Sequence, residues 1–262
     1  MAHGITFETT GSIATIVLDR PDVGNAFTIP MARELMETAI RCERDEAIRC
    51  VVVTGRGRFF CTGGDIQAFG GAGDSLPDFL REITTYLHAA ISALMRMNKP
   101  LVCAVNGPVA GGGIGLAIAG DVVLADPSAN FTLAYTAIGM APDGGSSWLL
   151  PRLIGMRRAQ ELCLTNRRVG AAEAAEMGLV TRIVEEGQLE KEVQATVGQL
   201  AKSATTALGA ARRLLLETFS NSLESQMELE SRTIAAQGAS AEGREGVAAF
   251  IAKRKPRFAE EN

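Results

Sequence analysis

The sequence predicts an α/β fold of strand–strand–helix units closed by an all-helical tail. Three observations carry that reading. Short β-branched apolar runs bounded by turn residues recur at 13–19, 50–54, 101–105 and 121–125, as buried strands require. Between them apolar residues fall three and four apart, as at Phe79, Ile83, Leu87, Ile91 and Leu94, which is helical spacing. Beyond about residue 189 only helical spacing remains. The chain therefore divides into a core over 1–190 and a helical region over 191–262.

Taken in order, 13–19 is the first strand, and Arg20-Pro21 through Asn25 is a loop. Thr28 caps a helix with Pro30 in its first turn, and the helix runs to about residue 45. Strand 50–54 ends at Gly55-Arg56-Gly57. Phe59-Phe60-Cys61 is expected as a short strand ended by Thr62-Gly63-Gly64-Asp65. Residues 70–75, rich in Gly and Ser, are expected as a mobile loop. A helix follows over 77–97. Strand 101–105 stops at Asn106-Gly107-Pro108. Strands at 121–125 and 131–133 precede a loop over 138–147, which leads into a helix at Trp148. Helical pieces at 157–163 and 171–177 precede a last strand at 179–184. The tail helices break near Ser203, Ser220 and Gly238. Their apolar periodicity calls for a surface to bury, in the tail itself or on a neighbouring subunit.

The 262 residues carry a net charge of −4, so no broad basic face for nucleic acid is expected. Five cysteines form no CxxC pair, and only His3 and His88 are present. Neither a metal knuckle nor a disulfide framework follows, and a reducing compartment is expected. The opening residues carry no basic-then-apolar signal, and no apolar run is long enough to span a bilayer. A soluble cytoplasmic protein without a membrane partner is the expectation.

The chemistry concentrates in residues 101–121. Here a buried strand gives way to Gly111, Gly112 and Gly113 and then to a run of small residues that reads as a helix. Glycines at such a junction let another backbone or a ligand approach closely, and the first turn of a helix has unpaired N–H groups. The element suits an anion or a developing oxyanion. No G-x-G-x-x-G fits across 111–115, and no Gly-Lys-Ser/Thr follows. A dinucleotide site is therefore weak and a Walker loop excluded.

Two motifs about fifty residues apart point to a family: Arg58-Phe59-Phe60-Cys61-Thr62-Gly63-Gly64-Asp65-Ile66, and the run from Asn106 to Ala117. With Arg20-Pro21, Asn25-Ala26, Pro151 to Gly155, Ala171 to Leu179 and Arg244 to Phe250 in this order, the chain resembles the crotonase superfamily, the enoyl-CoA hydratase/isomerase group. The resemblance implies a crotonase-like spiral of β-β-α units with a C-terminal helical trimerisation region, assembled as a homotrimer or hexamer. It implies an acyl-CoA substrate, with coenzyme A as part of the substrate and no separate cofactor. It implies an oxyanion hole from the backbone N–H groups of Gly64 and Gly112. Thr62, Gly111 and Gly115 would border the substrate, and Val23, Ala26, Asp65 and Ile66 would hold the adenine end of CoA. Lys253, Arg254 and Lys255 are candidates for its phosphates.

The family's hydratases carry one glutamate two positions after the third glycine and another about twenty residues later. Here those positions are Gly115 and Tyr135. Asp143, in Ala141-Pro142-Asp143-Gly144-Gly145, stands where related isomerases and a hydrolytic dehalogenase place an aspartate against the acyl group. The resemblance thus favours an isomerase with Asp143 as proton carrier, closest to the ring-1,2-epoxyphenylacetyl-CoA isomerase branch. Asp143 could instead cap the helix that follows. His88 and Tyr135 resemble positions of the 4-chlorobenzoyl-CoA dehalogenase, which gives the alternative of Asp143 as nucleophile. A catalytically silent acyl-CoA-binding or RNA-binding scaffold is the third reading.

Overall fold

The computed structural model describes residues 3–258. Its framework is a six-stranded sheet in the order β1-β2-β3-β4-β6-β9. These strands are β1 (Ile5–Thr10), β2 (Ile13–Leu18), β3 (Cys50–Gly55), β4 (Leu101–Val105), β6 (Val122–Ala125) and β9 (Arg182–Ile183). The β1–β2 pair is an antiparallel hairpin, and the remaining pairs are parallel. A small second sheet joins β5 (Val109–Ala110), β7 (Asn130–Thr132) and β8 (Val169–Gly170). The mixed α/β, crotonase-like spiral expected from the sequence is the fold observed.

Both faces of the large sheet are covered, which explains its continuous apolar strands. Val51, Val53, Leu101, Cys103 and Val105 face the main core. That core includes α1 (Ile29–Arg44) and α3 (Leu76–Arg96). Alternate residues Cys50, Val52, Val102, Ala104 and Leu124 form a second core with Val193 and Val197 of α8 (Leu189–Ala201). The Thr28 hydroxyl accepts from Met31 N–H and starts α1. Lys99 closes its other end by donating to the carbonyls of Cys42 and Asp45, at 2.6 and 2.5 Å.

Four elements depart from the sequence expectations. Strand β1 was not anticipated: it is an edge strand whose Glu8, Thr9 and Thr10 face solvent, so its apolar content is low. Phe59-Phe60-Cys61 is not a strand, and only Cys61 bridges, to Val109. The Asn25 amide takes the carbonyls of Arg56, Phe59 and Phe60, and Asn106 takes that of Gly57. The expected loop over 70–75 is largely helical. It contains the end of α2 (Ile66–Gly71) and a 3-10 turn over Gly73–Ser75 that runs into α3. The Asp65 carboxylate caps α2 by accepting from Gln67 and Ala68 N–H, and Phe69 packs edge-on against Phe79 at 5.8 Å. The last strand keeps only residues 182–183 of the expected 179–184.

Short helices surround the second sheet: α4 (Gly112–Ala117), α5 (Ser146–Ile154), α6 (Met156–Thr165) and α7 (Ala171–Glu176). Beyond α8, the tail continues as α9 (Thr205–Glu217), α10 (Leu223–Ala239) and α11 (Ala241–Ile251); residues 259–262 of the expected helical region lie outside the described residues. Arg212 joins α9 to the core. Its guanidinium donates to the carbonyls of Leu94, Met97 and Lys99 and to the Asp121 carboxylate. The outer sides of α10 and α11 leave Ile234, Val247, Phe250 and Ile251 exposed. Among the described residues no helix is long and apolar enough to cross a membrane.

Candidate active site

Two loops come together because Cys61 and Val109 bridge in parallel and Ala110 N–H donates to Cys61 O at 2.9 Å. This sets Gly63-Gly64 beside Gly111-Gly112. A Cβ placed on Gly63 would lie 3.1 Å from Gly112 N. Gly111 turns the chain from β5 into α4 at φ 49° and ψ −130°, a conformation that only glycine adopts readily. Gly64 is held between two bonds, Phe27 N–H to Gly63 O and Asp65 N–H to Phe27 O. Among the described residues neither Gly64 N–H nor Gly112 N–H has an acceptor. Both residues line a cavity of about 390 Å³.

That cavity is apolar. Phe27, Phe69, Leu80, Ile83, Leu87 and Met140 are among its walls, and Thr62, Ile66 and Gly111 also border it. Among the described residues its one acidic lining residue is Asp143. A Cβ on Gly112 would lie 3.5 Å from Asp143 Oδ1 and 3.9 Å from Tyr135 Oη. Tyr135 Oη donates to Asp143 Oδ1 at 2.5 Å. Burial, followed by the Asp143 charge, raises the Tyr135 pKa well above the usual phenol range. Tyr135 therefore remains a donor at neutral pH.

The backbone holds Asp143 where the alternative of a helix cap would not. The residue that caps α5 is Gly145. Asp143 contributes its carbonyl, which accepts from Ser146 N–H and Ser146 Oγ, the latter at 2.6 Å. Its carboxylate is left for Tyr135 and His88. His88 Nε2 lies 3.8 Å from Asp143 Oδ2 and accepts from Gly144 N–H at 3.1 Å. With Nε2 accepting, the neutral ring carries its proton on Nδ1.

The remaining residues singled out from the sequence lie elsewhere. Val23 is exposed, and Ala26 is buried with its carbonyl accepting from Arg20. Neither borders the cavity, nor do Asp65 and Gly115. Besides capping α2, Asp65 pairs with Arg20 at 3.2 Å. Arg254 is engaged by Glu245 through two contacts. Ser146 and Phe69 were missed by sequence reasoning. A serine three residues after a candidate acid was a usable signal, since its side chain readily bonds a nearby backbone carbonyl. Cys61, inside the glycine motif, is no thiolate nucleophile: burial pushes its thiol up to about 12.

The enoyl-CoA hydratase/isomerase family model matches residues 8–261. The chain belongs to the enoyl-CoA hydratase/isomerase family. It is 37% identical over 248 residues to the 1,2-epoxyphenylacetyl-CoA isomerase of Escherichia coli K12, covering 94% of both chains. It is also 37% identical over 235 residues to 4-chlorobenzoyl coenzyme A dehalogenase-2 of an Arthrobacter species, covering 89% of this chain and 85% of that one. The crystal structure of an enoyl-CoA hydratase from Polaromonas sp. JS666 superposes with a TM-score of 0.92 at 32% identity, covering 97% of this chain and 99% of that one.

In this family member, the position of the first hydratase glutamate is closed by backbone. A Cβ on Gly115 would overlap Gly144 O and lie 2.7 Å from its carbonyl carbon. The loop that carries Asp143 fills the space that a side chain at 115 would need.

Proposed function

We propose that this acyl-CoA enzyme is an enoyl-CoA isomerase, working through a thioester enolate. The observation that carries the reading is the single carboxylate of Asp143. It borders an apolar cavity, lies beside Gly112 and is held by the Tyr135 hydroxyl. The thioester oxygen accepts from Gly64 and Gly112 N–H, whose acceptors are otherwise missing. Losing one such donor typically costs about 3–4 kcal/mol of barrier lowering. Asp143 removes a proton alpha to the thioester carbonyl, and the electron pair moves into the enolate. The protonated carboxyl then returns a proton to the gamma carbon and the double bond shifts.

Coenzyme A enters only as part of the substrate. Its adenine end is assigned to the loop around Val23 and Ala26. The exposed apolar side chains of α10 and α11 support assembly with further copies as a trimer or hexamer. The test is solvent-deuterium exchange into 2-enoyl-, 3-enoyl- and arylacetyl-CoA thioesters, read by mass spectrometry. Asp143→Asn is expected to lose exchange and isomerisation while still binding thioester. Intact turnover in that variant would sink the mechanism.

The 3.8 Å approach of His88 to Asp143 favours one second reading, hydrolytic aryl-CoA dehalogenation. There Asp143 attacks the halogen-bearing ring carbon and halide leaves. Water deprotonated by His88 then cleaves the aryl ester at the Asp143 carbonyl. Halide release from a 4-chloroaryl-CoA, with oxygen from ¹⁸O-water appearing in Asp143, would decide for this reading.

A further inference from the structure

We infer that a second cavity, behind the Asp143–Gly145 loop, supplies solvent protons to the reaction through His88. The inference rests on Asp143 being the proton carrier, as proposed above.

The rear cavity measures about 310 Å³, and His88, Ser92, Arg96, Gly144, Gly145 and Trp148 border it. It shares no lining residue with the acyl cavity. Two pairs of chain neighbours are divided between them. Leu87 and Asp143 face the acyl side, while His88 and Gly144 face the rear. The rear cavity is open to water, since the side chains of His88 and Arg96 are 49% and 69% exposed.

Asp143 lies at this division. Oδ1 is held on the acyl side by Tyr135, and Oδ2 faces His88 Nε2 at 3.8 Å. The Asp143 side chain is 27% exposed, and an acyl group in the apolar cavity would cover it and leave few other groups with which to exchange a proton. An enclosed Asp143 would return to the gamma carbon the same proton it took from the alpha carbon. His88 opens a second outcome. The Asp143 carboxyl gives its proton to Nε2, and the bond from Gly144 N–H to that nitrogen yields. The imidazolium then gives its Nε2 proton to water of the rear cavity, and Nε2 takes a solvent proton in its place. Asp143 recovers that proton from Nε2, so the substrate proton leaves and a solvent proton enters, with no electrons transferred to or from the protein.

The readout is deuterium incorporated per isomerisation event, measured with 3-hexenoyl-CoA in D₂O. Wild-type product is expected to carry solvent deuterium. Positioned acid–base groups contribute about 10²-fold or more, so His88→Gln is expected to lower deuterium per turnover by at least about tenfold. Ser92→Trp, which fills the rear cavity without reaching Asp143, is expected to lower it in the same direction. An unchanged ratio in His88→Gln, or wild-type product free of deuterium, overturns the route. Where His88→Gln gives no turnover, the ratio in Ser92→Trp decides. Asp143→Asn separates the two ideas. Retained turnover there removes Asp143 as carrier, whereas lost turnover there with an unchanged His88→Gln ratio removes only the relay.

Discussion

Gly112→Ala separates the requirements of the site from those of the fold. Gly112 is the first residue of α4, and its φ lies outside the left-handed range. An added Cβ would meet Asp143 Oδ1 at 3.5 Å, Leu87 Cδ2 at 3.6 Å and Tyr135 Oη at 3.9 Å, all ordinary contact distances. The fold therefore accepts the methyl. Replacing a helical glycine by alanine stabilises by about 0.5–1 kcal/mol, or about 1–4 °C in Tm for a chain of this size. The same methyl occupies the space beside the carboxylate that the reacting carbon needs, at a separation of about 3–3.5 Å. A displacement of about 1 Å costs about 10²-fold in rate, or about 2.7 kcal/mol of barrier. The expected result is an unchanged or raised Tm with kcat/KM for a 3-enoyl-CoA lowered by about 10²-fold. Wild-type kcat/KM in a folded Gly112→Ala protein would refute the placement of the reacting carbon between Gly112 and Asp143.

Three further outcomes are expected. Arg212→Ala leaves the Asp121 carboxylate and three carbonyls without the guanidinium that joins α9 to the core. Arg212 is buried while the Asp121 side chain is a third exposed, so the loss comes mainly from the unpaired buried carbonyls, about 1–3 kcal/mol each, which equilibrium urea unfolding measures; a loss below about 1 kcal/mol would contradict that account. Burial pushes the thiol of Cys42 up to about 11, and those of Cys50, Cys61 and Cys103 up to about 12, from the ordinary 9.0. Above pH 9 the unfolded chain loses these protons and the folded chain keeps them. Their contribution is full below pH 9 and is lost as pH rises toward 11–12; flat urea midpoints between pH 8 and 10.5 would argue against it. Finally, Phe250→Glu combined with Ile251→Glu is expected to shift sedimentation from the proposed trimer or hexamer toward smaller species, and an unchanged sedimentation would argue against that contact.

The central strands were legible because both of their faces are buried, so Val51, Val52 and Val53 can all be apolar. The edge strand β1 was not, since Glu8 and Thr10 meet water. The glycine pair was legible because Gly111 takes a backbone conformation that few other residues tolerate. Asp143 could be found by its position in a resembling motif, but its partnership with Tyr135 could not. They lie eight positions apart, across a 3-10 turn and a loop, and no periodicity records that path. Asp65 has a structural role that the sequence did not reveal. The resemblance implies a place for it at the adenine end of CoA, and its partners within the chain are the first N–H groups of α2 and Arg20. The contact between Arg212 and Asp121 spans 91 residues, beyond the reach of local pattern.

The two missing glutamates raise a sharper question: whether restoring them restores hydration. The structure argues that it does not. Gly144 O stands where the first atom of any side chain at 115 would go, and its carbonyl carbon lies 2.7 Å from that position. Backbone cannot swing aside as the end of a flexible side chain can. Gly115→Glu must therefore displace the loop, taking with it the Gly144 N–H bond to His88 and the carboxylate of Asp143. Overpacking of this kind costs about 1–3 kcal/mol. Adding Tyr135→Glu removes the hydroxyl that holds Asp143 and places a second acid beside it, in an apolar wall where a charge is costly. The expected double variant is less stable, has lost isomerisation, and hydrates 2-butenoyl-CoA no faster than buffer. Measurable hydration would mean that the 143–145 loop can move aside at little cost. The identity of the acid, rather than the position of that backbone, would then set the chemistry at this site.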